Sequence, residues 1–387
     1  MTATAGVGAT FFSEGASAAV AGMRTESVLQ EKIEMPVRTL GRTGLKLPIL
    51  SMGVMKADNP SVLRAAYNSG IIHYDTANGY QNGRNEEMIG TFFADKPRES
   101  FIVATKAKFN YPLRESFETD LMGLIDTSLA RLKMKSVDIF YMHDYRSVEM
   151  MSDERVLAMV KKIKETGKAR FVGFSSHANN PELLNEAAKL GVYDVILLTY
   201  NFKLNNLDDT NAAIERAANA GIGLVAMKTL TGAVEDAEGN KKVNARACLK
   251  WVWQNKNITT IIPGFTNYDE LDECIAAVKS PDINENEKKY LVSLRNNEMM
   301  FCQQCNQCNG QCPENLPIPD IMRAYMYAFG YKQSQLSKET LAELNLPEDI
   351  CSKCTDGCSV KCPSGFKIGN KIAAVRPVMN VPDVFLT

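Results

Sequence analysis

Four residues of the 387-residue chain could together reduce a carbonyl group: Asp75, Tyr80, Lys106 and His143. A carbonyl that accepts hydride needs a proton for the developing alkoxide, and the Tyr80 hydroxyl can donate it. The usual pKa of tyrosine, about 10, makes this donation slow at neutral pH. An ammonium group beside the phenol lowers that pKa, and we expect Lys106 to have this effect.

The other two side chains would complete this chemistry. Asp75 would pair with Lys106 and keep it charged and oriented. His143 would hydrogen-bond to the substrate oxygen and polarise it. Each residue type is common in loops, but these four occur in this order at the ends of successive apolar runs. The sequence therefore predicts a catalytic tetrad, whereas His73, inside such a run, is predicted to be a packed core residue.

The cysteines could bind iron, because eight of the ten lie between Cys302 and Cys362. They form two runs, Cys302-x2-Cys305-x2-Cys308-x3-Cys312-Pro313 and Cys351-x2-Cys354-x3-Cys358-x3-Cys362-Pro363. The first reproduces the bacterial ferredoxin run, in which three cysteines bind one cluster and the fourth binds the other. Reading across the runs predicts one [4Fe–4S] cluster on Cys302, Cys305, Cys308 and Cys362. It predicts a second on Cys351, Cys354, Cys358 and Cys312.

Alternatives stay open for this segment. Paired CxxC units also make tetrahedral zinc sites, and the extra residue in the second run leaves a single cluster open. Four cysteines in each run, with proline after both, favour two clusters. Disulfides are typical of chains too small to bury a core, which this chain is not. Cys248 and Cys274 stand apart and are predicted to be buried thiols.

The tetrad requires a scaffold of strands, and eight short apolar runs supply it. The runs are Ile49–Val54, Ile71–Tyr74, Phe101–Ala104, Val137–Met142, Ala169–Gly173, Val195–Leu198, Gly223–Met227 and Thr259–Ile262. Between them lie segments of helical period, such as Ser61–Asn68, Phe117–Leu132, Asp153–Glu165, Pro181–Leu190, Ala212–Ala220 and Ala245–Gln254. Continuous apolar strands alternating with helices indicate an α/β fold, and eight units close a (β/α)8 TIM barrel. A doubly wound sheet is disfavoured because no glycine-rich turn follows the first run.

Three domains are predicted. Residues 1–35 form a flexible N-terminal tail, residues 36–298 the barrel, and residues 299–387 a ferredoxin-like two-cluster domain that is small and mainly helical. Ile283–Asn297 is expected to be a helix leading into the first cysteine run. Pro319–Phe329 and Ser337–Leu344 have helical character, with Ser337 placed near a helix start, and a further helix is expected after Pro363.

The barrel segment resembles the aldo/keto reductase family over about residues 36–280. The family's catalytic tetrad matches Asp75, Tyr80, Lys106 and His143. Further matches are Arg38–Leu45, which is similar to the family's opening hairpin, Gly83–Glu87, Gly167–Ser175, Tyr200-Asn201 and Ile262–Gly264. The resemblance implies reversible hydride transfer between a nicotinamide cofactor and a carbonyl or alcohol, with Tyr80 as general acid and base.

The resemblance also implies positions for the cofactor: Gly53, Met55, Asp75, Ser175, Met227, Lys228, Leu230, Gly264 and Glu273. The chain departs from the usual contacts, since Ser176 and Leu197 stand where the family commonly places amide side chains. Met227 stands where a tyrosine often stacks on the nicotinamide. Gly264 and Glu270 replace the basic residues that hold a 2′-phosphate, and a carboxylate there repels phosphate. NAD(P)(H) is therefore expected, without a marked preference for NADPH.

The composition excludes some partners and locations. Hydrophobic residues make up 45% and charged residues 23%, and the net charge is −1, so neither nucleic acid nor an anionic membrane surface is indicated. No apolar run reaches the ~20 residues of a membrane span. The first 23 residues are predicted to be a disordered tail in a cytoplasmic protein. They also resemble the end of a twin-arginine export signal, with Ala16-Ser17-Ala18 suited to cleavage, which leaves a periplasmic location as the alternative.

Two functions of different class account for these features. In the first, the chain is an NAD(P)-dependent oxidoreductase of a small carbonyl or alcohol substrate, and its clusters exchange electrons with a redox protein partner. In the second, it is a non-catalytic redox-sensing or electron-carrier subunit on a reductase-like barrel. The complete tetrad favours the first. In either case the route of electrons between the barrel and the clusters is unexplained. Nicotinamide transfers two electrons as hydride, whereas a cluster usually passes one at a time, and the sequence shows no flavin-binding signature.

Overall fold

A computed structural model describes residues 33–231, 244–295, 302, 304–347, 349–351, 354 and 357–386. The strands are β1 (Val37–Thr39), β2 (Lys46–Pro48), β3 (Met52–Gly53), β4 (His73–Asp75), β5 (Ile102–Ala107), β6 (Val137–Met142), β7 (Ala169–Ser176), β8 (Val195–Thr199), β9 (Gly223–Met227) and β10 (Thr260–Ile261). The helices are α1 (Pro60–Asn68), α2 (Arg84–Phe93), α3 (Phe117–Leu132), α4 (Val148–Ser152), α5 (Glu154–Glu165), α6 (Asn180–Leu190), α7 (Leu207–Asn219), α8 (Ala245–Gln254), α9 (Tyr268–Lys279), α10 (Glu285–Arg295), α11 (Ile318–Tyr325), α12 (Ser334–Ala342) and α13 (Ile368–Val375).

Strands β3 to β10 form one eight-stranded parallel sheet in chain order. Every residue of β5, β6, β8 and β9 is buried, as expected for strands covered on both faces. The sheet closes on itself, because Leu50 forms a parallel bridge with Ile261 and the Ser51 N–H donates to the Ile261 carbonyl at 2.9 Å. The predicted (β/α)8 barrel is confirmed.

The hairpin of β1 and β2 covers the N-terminal end of the barrel. Leu40 and Leu47 of this hairpin are fully buried in the apolar cluster that fills the barrel interior. Leu40 lies so close to the start of β9 that a Cβ on Gly223 would meet its Cγ at 2.5 Å. This end is therefore filled with packed side chains, and the C-terminal ends of the strands are left to form a site.

The helices begin where their first turns are stabilised. Helix α5 is an example, because the Asp153 carboxylate accepts from the N–H groups of Arg155 and Val156 and caps the first turn. Helix α7 begins at Leu207, earlier than the expected Ala212. Asp208 and Asp209 in its first turn interact favourably with the helix dipole and so stabilise the earlier start. The spacing of apolar residues, on which the prediction rested, does not reveal this.

The C-terminal segment is helical and has an apolar core of its own. Helices α11, α12 and α13 pack around Ile321, Leu341 and Ile372, and a π-helical turn spans Met326–Gly330. Cys308 and Cys312 are buried in the same core. Helix α12 begins at Ser334, so the expectation that Ser337 lies near a helix start was wrong. Ser337 is a buried interior residue whose hydroxyl donates to the Ala324 carbonyl at 2.8 Å.

The C-terminal segment docks on the C-terminal face of the barrel. Its Arg323 forms a buried ion pair with Asp144, which follows β6, at a nitrogen–oxygen distance of 2.7 Å. Other polar contacts join the two parts: Asn306 with Asn179, Tyr331 with Lys228, and Glu343 with Lys108. The residues between Cys302 and Tyr331 therefore lie against the end of the barrel that carries the predicted tetrad.

Three residues predicted to be structural are buried. His73 is fully buried at the start of β4, and burial lowers its pKa to about 4. Burial likewise raises the pKa of Cys248 and of Cys274 to about 12, as expected for inert thiols. Within the described ranges, no helix combines the length and the apolar character that crossing a membrane would require.

Candidate active site

The strand ends bring the four predicted catalytic residues together. Asp75 is the last residue of β4, Lys106 lies near the end of β5, and His143 follows β6 directly. The Lys106 ammonium donates to Asp75 Oδ1 at 2.5 Å and to the Thr76 carbonyl at 2.7 Å. Tyr80 begins a short 3₁₀ turn, and its ring meets that of His143 edge-on at 6.2 Å between centroids.

The pKa of Tyr80 is shifted opposite to the expected direction. Burial raises the pKa of the hydroxyl well above its usual value, and the charge of Asp75 raises it further. The Lys106 ammonium lies 5.1 Å from the centre of the Tyr80 ring and is held by Asp75 and Thr76. The net shift is therefore upward and not downward as expected, because burial outweighs the stabilisation of the phenolate by the nearby ammonium, and the phenol stays protonated at neutral pH.

The remaining members of the tetrad have well-defined charge states. Burial lowers the pKa of His143 well below its usual range, and the nearby charges of Lys106 and Lys108 act in the same direction. Its imidazole is therefore neutral and can donate one N–H. Burial raises the pKa of Asp75 and lowers that of Lys106, while the charge of each opposes the shift in the other. The two form a buried ion pair with no net charge.

Two residues at the start of α2 hold the loop that carries Tyr80. The Asn85 amide donates to the Val54 carbonyl at 2.6 Å and accepts from the Thr76 hydroxyl at 2.6 Å. The buried Glu86 carboxylate accepts from Thr105, beside Lys106, at 2.6 Å. Both residues belong to the Gly83–Glu87 segment that resembles the family, so the sequence contained this signal although the role of each residue did not follow from it.

A cavity of about 460 Å³ opens beside the tetrad and is lined by Asp75, Tyr80 and His143. It is also lined by eight of the nine predicted cofactor positions, namely Gly53, Met55, Asp75, Met227, Lys228, Leu230, Gly264 and Glu273. The ninth, Ser175, is buried beside it, where its hydroxyl accepts from the Asp144 N–H at 3.0 Å. A direct contact of Ser175 with the cofactor therefore stays a prediction.

The loop after β9 offers polar groups to this cavity. The Thr229 and Thr231 hydroxyls line it and are buried without a hydrogen-bond partner among the described residues. Lys228 and Thr231 have left-handed backbone conformations, with φ of 57° and 58°. Such conformations turn successive N–H groups towards one point, which is a common way of binding anions.

Several residues that line the cavity were not identified from the sequence. His177 follows β7 directly, so the rule that found His143 could have found it. The C-terminal segment contributes Cys302, Gln304, Tyr327 and Tyr331. The Tyr331 hydroxyl is 3.1 Å from the Lys228 ammonium, which also lies over the Tyr331 ring at 4.6 Å. No local pattern predicts these contacts, because they depend on how the segment docks.

Thiols of the eight clustered cysteines neighbour one another in two places. Burial raises the pKa of Cys302 to about 12, and the neighbouring thiols that raise it further are Cys305, Cys308 and Cys362. Burial likewise raises the pKa of Cys351, with contributions from Cys354, Cys358 and Cys312. The Gln304 N–H lies 3.3 Å from the Cys302 sulfur and can donate to it. In the described part of the chain, however, no three histidine, cysteine or acidic side chains are close enough to hold a single metal ion.

The barrel and the tetrad around its cavity define a reductase of the TIM-barrel class. The model of the aldo/keto reductase family matches residues 49–244, which is half of the chain. The chain therefore belongs to the aldo/keto reductase family and is an oxidoreductase. Residues 245–387, which include all the cysteines, lie beyond that match.

Curated relatives and solved structures agree with this assignment. The chain is 26% identical to the L-glyceraldehyde 3-phosphate reductase of Escherichia coli (strain K12) over 311 residues, covering 64% of this chain and 88% of that protein. It is 26% identical to the L-galactose dehydrogenase of Arabidopsis thaliana over 288 residues, with the same shares covered. An aldo-keto reductase of Bacillus halodurans in its holo form has the same fold, with a TM-score of 0.56 and 19% identity over 67% of this chain and 96% of that one.

Proposed function

We propose that this oxidoreductase reduces a small carbonyl compound, and oxidises the corresponding alcohol, with Tyr80 as the general acid and base. The observation that carries this proposal is the convergence of Tyr80, His143 and the Lys106–Asp75 ion pair at one end of a single cavity. Family membership and the complete tetrad favour an enzyme over the alternative of a non-catalytic redox-sensing or electron-carrier subunit.

Each residue of the tetrad has a role in the reaction that follows from its charge and position. The protonated Tyr80 hydroxyl donates a proton to the substrate oxygen as negative charge develops there. The neutral His143 imidazole donates a hydrogen bond to the same oxygen and polarises the carbonyl. The Lys106–Asp75 pair keeps a positive charge near the Tyr80 ring without adding net charge to the cavity, which stabilises the phenolate left after proton transfer.

The cavity fits a nicotinamide dinucleotide. A bound nicotinamide supplies the hydride. The orphaned hydroxyls of Thr229 and Thr231 and the Lys228 ammonium are suited to its pyrophosphate. Met227 and Leu197 present an apolar surface instead of the family's aromatic and amide contacts. Glu270 and Glu273 at the cavity edge disfavour a 2′-phosphate, so we propose NADH as the better donor.

Deuterium transfer tests this proposal directly. Glyceraldehyde is the first substrate to try, because one relative is named as a reductase of its phosphate. With NADH carrying deuterium at both C4 positions of the nicotinamide, we expect the alcohol product to carry one deuterium at the former carbonyl carbon. Mass spectrometry and NMR of the product measure the label, and the same experiment with labelled NADPH measures the preference. Product without the label, or no turnover with either donor across a broad panel of carbonyl compounds, would contradict the proposal.

We further propose that the C-terminal cysteines hold two [4Fe–4S] clusters, in a domain of residues 299–387 that follows a barrel of residues 36–298. Cys302, Cys305, Cys308 and Cys362 would hold one cluster, and Cys351, Cys354, Cys358 and Cys312 the other. Bound clusters would store and pass single electrons, in exchange with a redox protein partner. The Gln304 N–H beside the Cys302 sulfur is of the kind that tunes a cluster's potential.

The arrangement of the cysteines favours clusters over zinc. A zinc ion binds all its thiolates at about 2.3 Å from one centre, so the sulfurs crowd together. A cubane binds each thiolate through a separate iron atom and accepts sulfurs that stand farther apart. Four cysteines in each run, with proline after both as in the bacterial ferredoxin run, favour the second case.

Iron content tests the cluster proposal. Anaerobically prepared full-length chain is expected to hold about eight iron and eight sulfide per molecule, as two [4Fe–4S] clusters require. Cys358→Ala should remove about half of both, because it removes one ligand of the second group only. Cys248→Ala, a matched change at a buried thiol of the barrel, should leave iron and sulfide unchanged. Bound zinc in place of iron, or equal iron loss in the two variants, would contradict the assignment.

The cytoplasm is the compartment we propose. All ten cysteines are unpaired, which suits a reducing compartment. The residues that resemble the end of an export signal lie outside the described ranges, so the periplasmic alternative stays a prediction from the sequence.

A further inference from the structure

Cys302 lines the same cavity as Tyr80 and His143. It is the only one of the eight clustered cysteines, all within the described residues, that does so. Its neighbour Gln304 also lines the cavity, and the Gln304 amide donates to the Pro319 carbonyl at 3.2 Å, which fixes the loop to the start of α11. The first cysteine group therefore meets the catalytic site at one defined place.

The cysteine loop is fixed on the barrel. Asn306, between Cys305 and Cys308, donates from its amide to Asn179 Oδ1 at 3.1 Å, in the loop that follows β7. Arg323, one turn into α11, is anchored by its buried ion pair with Asp144, the residue after His143. The first contact holds the loop itself and the second holds the helix that follows it. Together they fix the position of the loop at the cavity wall.

The second cysteine group lies away from this wall. Cys358 is exposed to solvent, and none of Cys351, Cys354, Cys358 and Cys312 lines the cavity. The two groups thus have different surroundings, one at the catalytic cavity and one at the protein surface.

We infer that the cluster site of Cys302, Cys305, Cys308 and Cys362 is part of the wall of the catalytic cavity, so that a ligand in the cavity changes the redox properties of that cluster and not of the other. The inference rests on the proposed clusters and cofactor. A charged or dipolar ligand next to a cluster interacts differently with the cluster's two oxidation states. The group with the exposed Cys358 is then the one left to meet an external electron carrier.

A potentiometric titration followed by electron paramagnetic resonance tests this inference on the iron-loaded full chain. The ligand is tetrahydro-NAD, a redox-inert analogue of the reduced cofactor, at saturating concentration. We expect the midpoint potential of one cluster signal to move by about 59 mV, which corresponds to a tenfold difference in ligand affinity between its oxidised and reduced forms. The other signal should not move.

Two variants assign the signals. In Cys358→Ala the remaining signal should still respond to the ligand, and in Cys305→Ala it should not. A second measurement needs no variant: tetrahydro-NAD deuterated on its ring should produce deuterium hyperfine coupling on the responsive signal alone. Two results would overturn the inference. In one, neither signal of the iron-loaded chain shifts when the ligand binds. In the other, the signal that remains in Cys305→Ala shifts and the one that remains in Cys358→Ala does not. A chain without bound iron would instead refute the proposed clusters, and loss of deuteride transfer would refute the proposed cofactor role.

Discussion

Replacing Tyr80 with phenylalanine is expected to lower kcat for carbonyl reduction by about 10²- to 10⁴-fold, the usual contribution of a positioned general acid. The change removes only the hydroxyl. The ring keeps its edge contact with His143 and its place beside the Lys106 ammonium, so KM should change little. Steady-state kinetics with NADH and a carbonyl substrate, together with product labelling, measures the loss.

A matched variant separates proton donation from packing. Tyr74→Phe makes the same change one residue before Asp75, at a buried hydroxyl that donates to the Ile71 carbonyl at 2.7 Å. It should lower the free energy of unfolding by about 1 kcal/mol, the value of a typical hydrogen bond, and leave kcat near that of the unchanged chain. Equal losses of kcat in the two variants would show that Tyr80 acts through structure and not as an acid.

The pH profile is a second readout for Tyr80. Burial raises its pKa and lowers that of His143, so neither group changes charge between the usual values of histidine and tyrosine. The rate of reduction should therefore be level from about pH 6.5 to about pH 10. Alcohol oxidation needs the phenolate and should rise with pH over this range. A reduction rate that falls as the pH rises through neutrality would contradict the protonation states derived for the tetrad.

The barrel could be predicted from the sequence because its strands are buried on both faces. Runs such as Val195–Leu198 are continuously apolar, which is typical of strands covered on both faces. The tetrad followed from the same pattern, since its members stand at strand ends or, for Tyr80, in the loop that follows one. His177, directly after β7, obeys the same rule.

The rest of the site could not be predicted, because it depends on long-range docking and on burial. Tyr327, Tyr331 and Cys302 reach the cavity only because the C-terminal segment folds back onto the barrel. The direction of the pKa shift of Tyr80 could not be predicted for a similar reason, since the sequence places Lys106 nearby but does not reveal how deeply the hydroxyl is buried. Docking also brings Cys302 to the catalytic cavity, so the contacts that maintain it are the most informative to break.

The ion pair of Asp144 and Arg323 holds the C-terminal segment on the barrel. Both side chains are 5% exposed, and Nη1 lies 2.7 Å from Oδ2. Burial alone would raise the pKa of Asp144, but the Arg323 and Arg146 guanidinium groups outweigh it and hold the pKa well below its usual value. The pair's contribution to the free energy of unfolding is therefore fully present above about pH 3.9, the pKa of the aspartate in the unfolded chain. It is lost as the pH falls through the lower pKa that Asp144 has in the folded protein.

Breaking this pair from either side is expected to destabilise the protein strongly. Arg323→Met leaves a buried carboxylate with only the half-exposed Arg146. Asp144→Asn, which tolerates the left-handed backbone at φ 67°, leaves a buried guanidinium with only the partly exposed Asp320. Each should lower the free energy of unfolding by about 3–5 kcal/mol. The double variant should lose much less than the sum, because neither charge is then stranded. Anaerobic denaturant unfolding measures all three.

An exposed ion pair between the barrel and the C-terminal segment supplies the control for these single and double variants. Lys108 and Glu343 lie 3.2 Å apart and are 37% and 45% exposed, so Lys108→Met should cost at most about 1 kcal/mol. Hydrogen exchange should show the reason for the difference: α11 and the Cys302–Cys308 loop should lose protection in Arg323→Met but not in Lys108→Met. If the two single changes at the buried pair were additive, Asp144 and Arg323 would act independently, and the docking of the cysteine loop at the cavity would have to depend on other contacts.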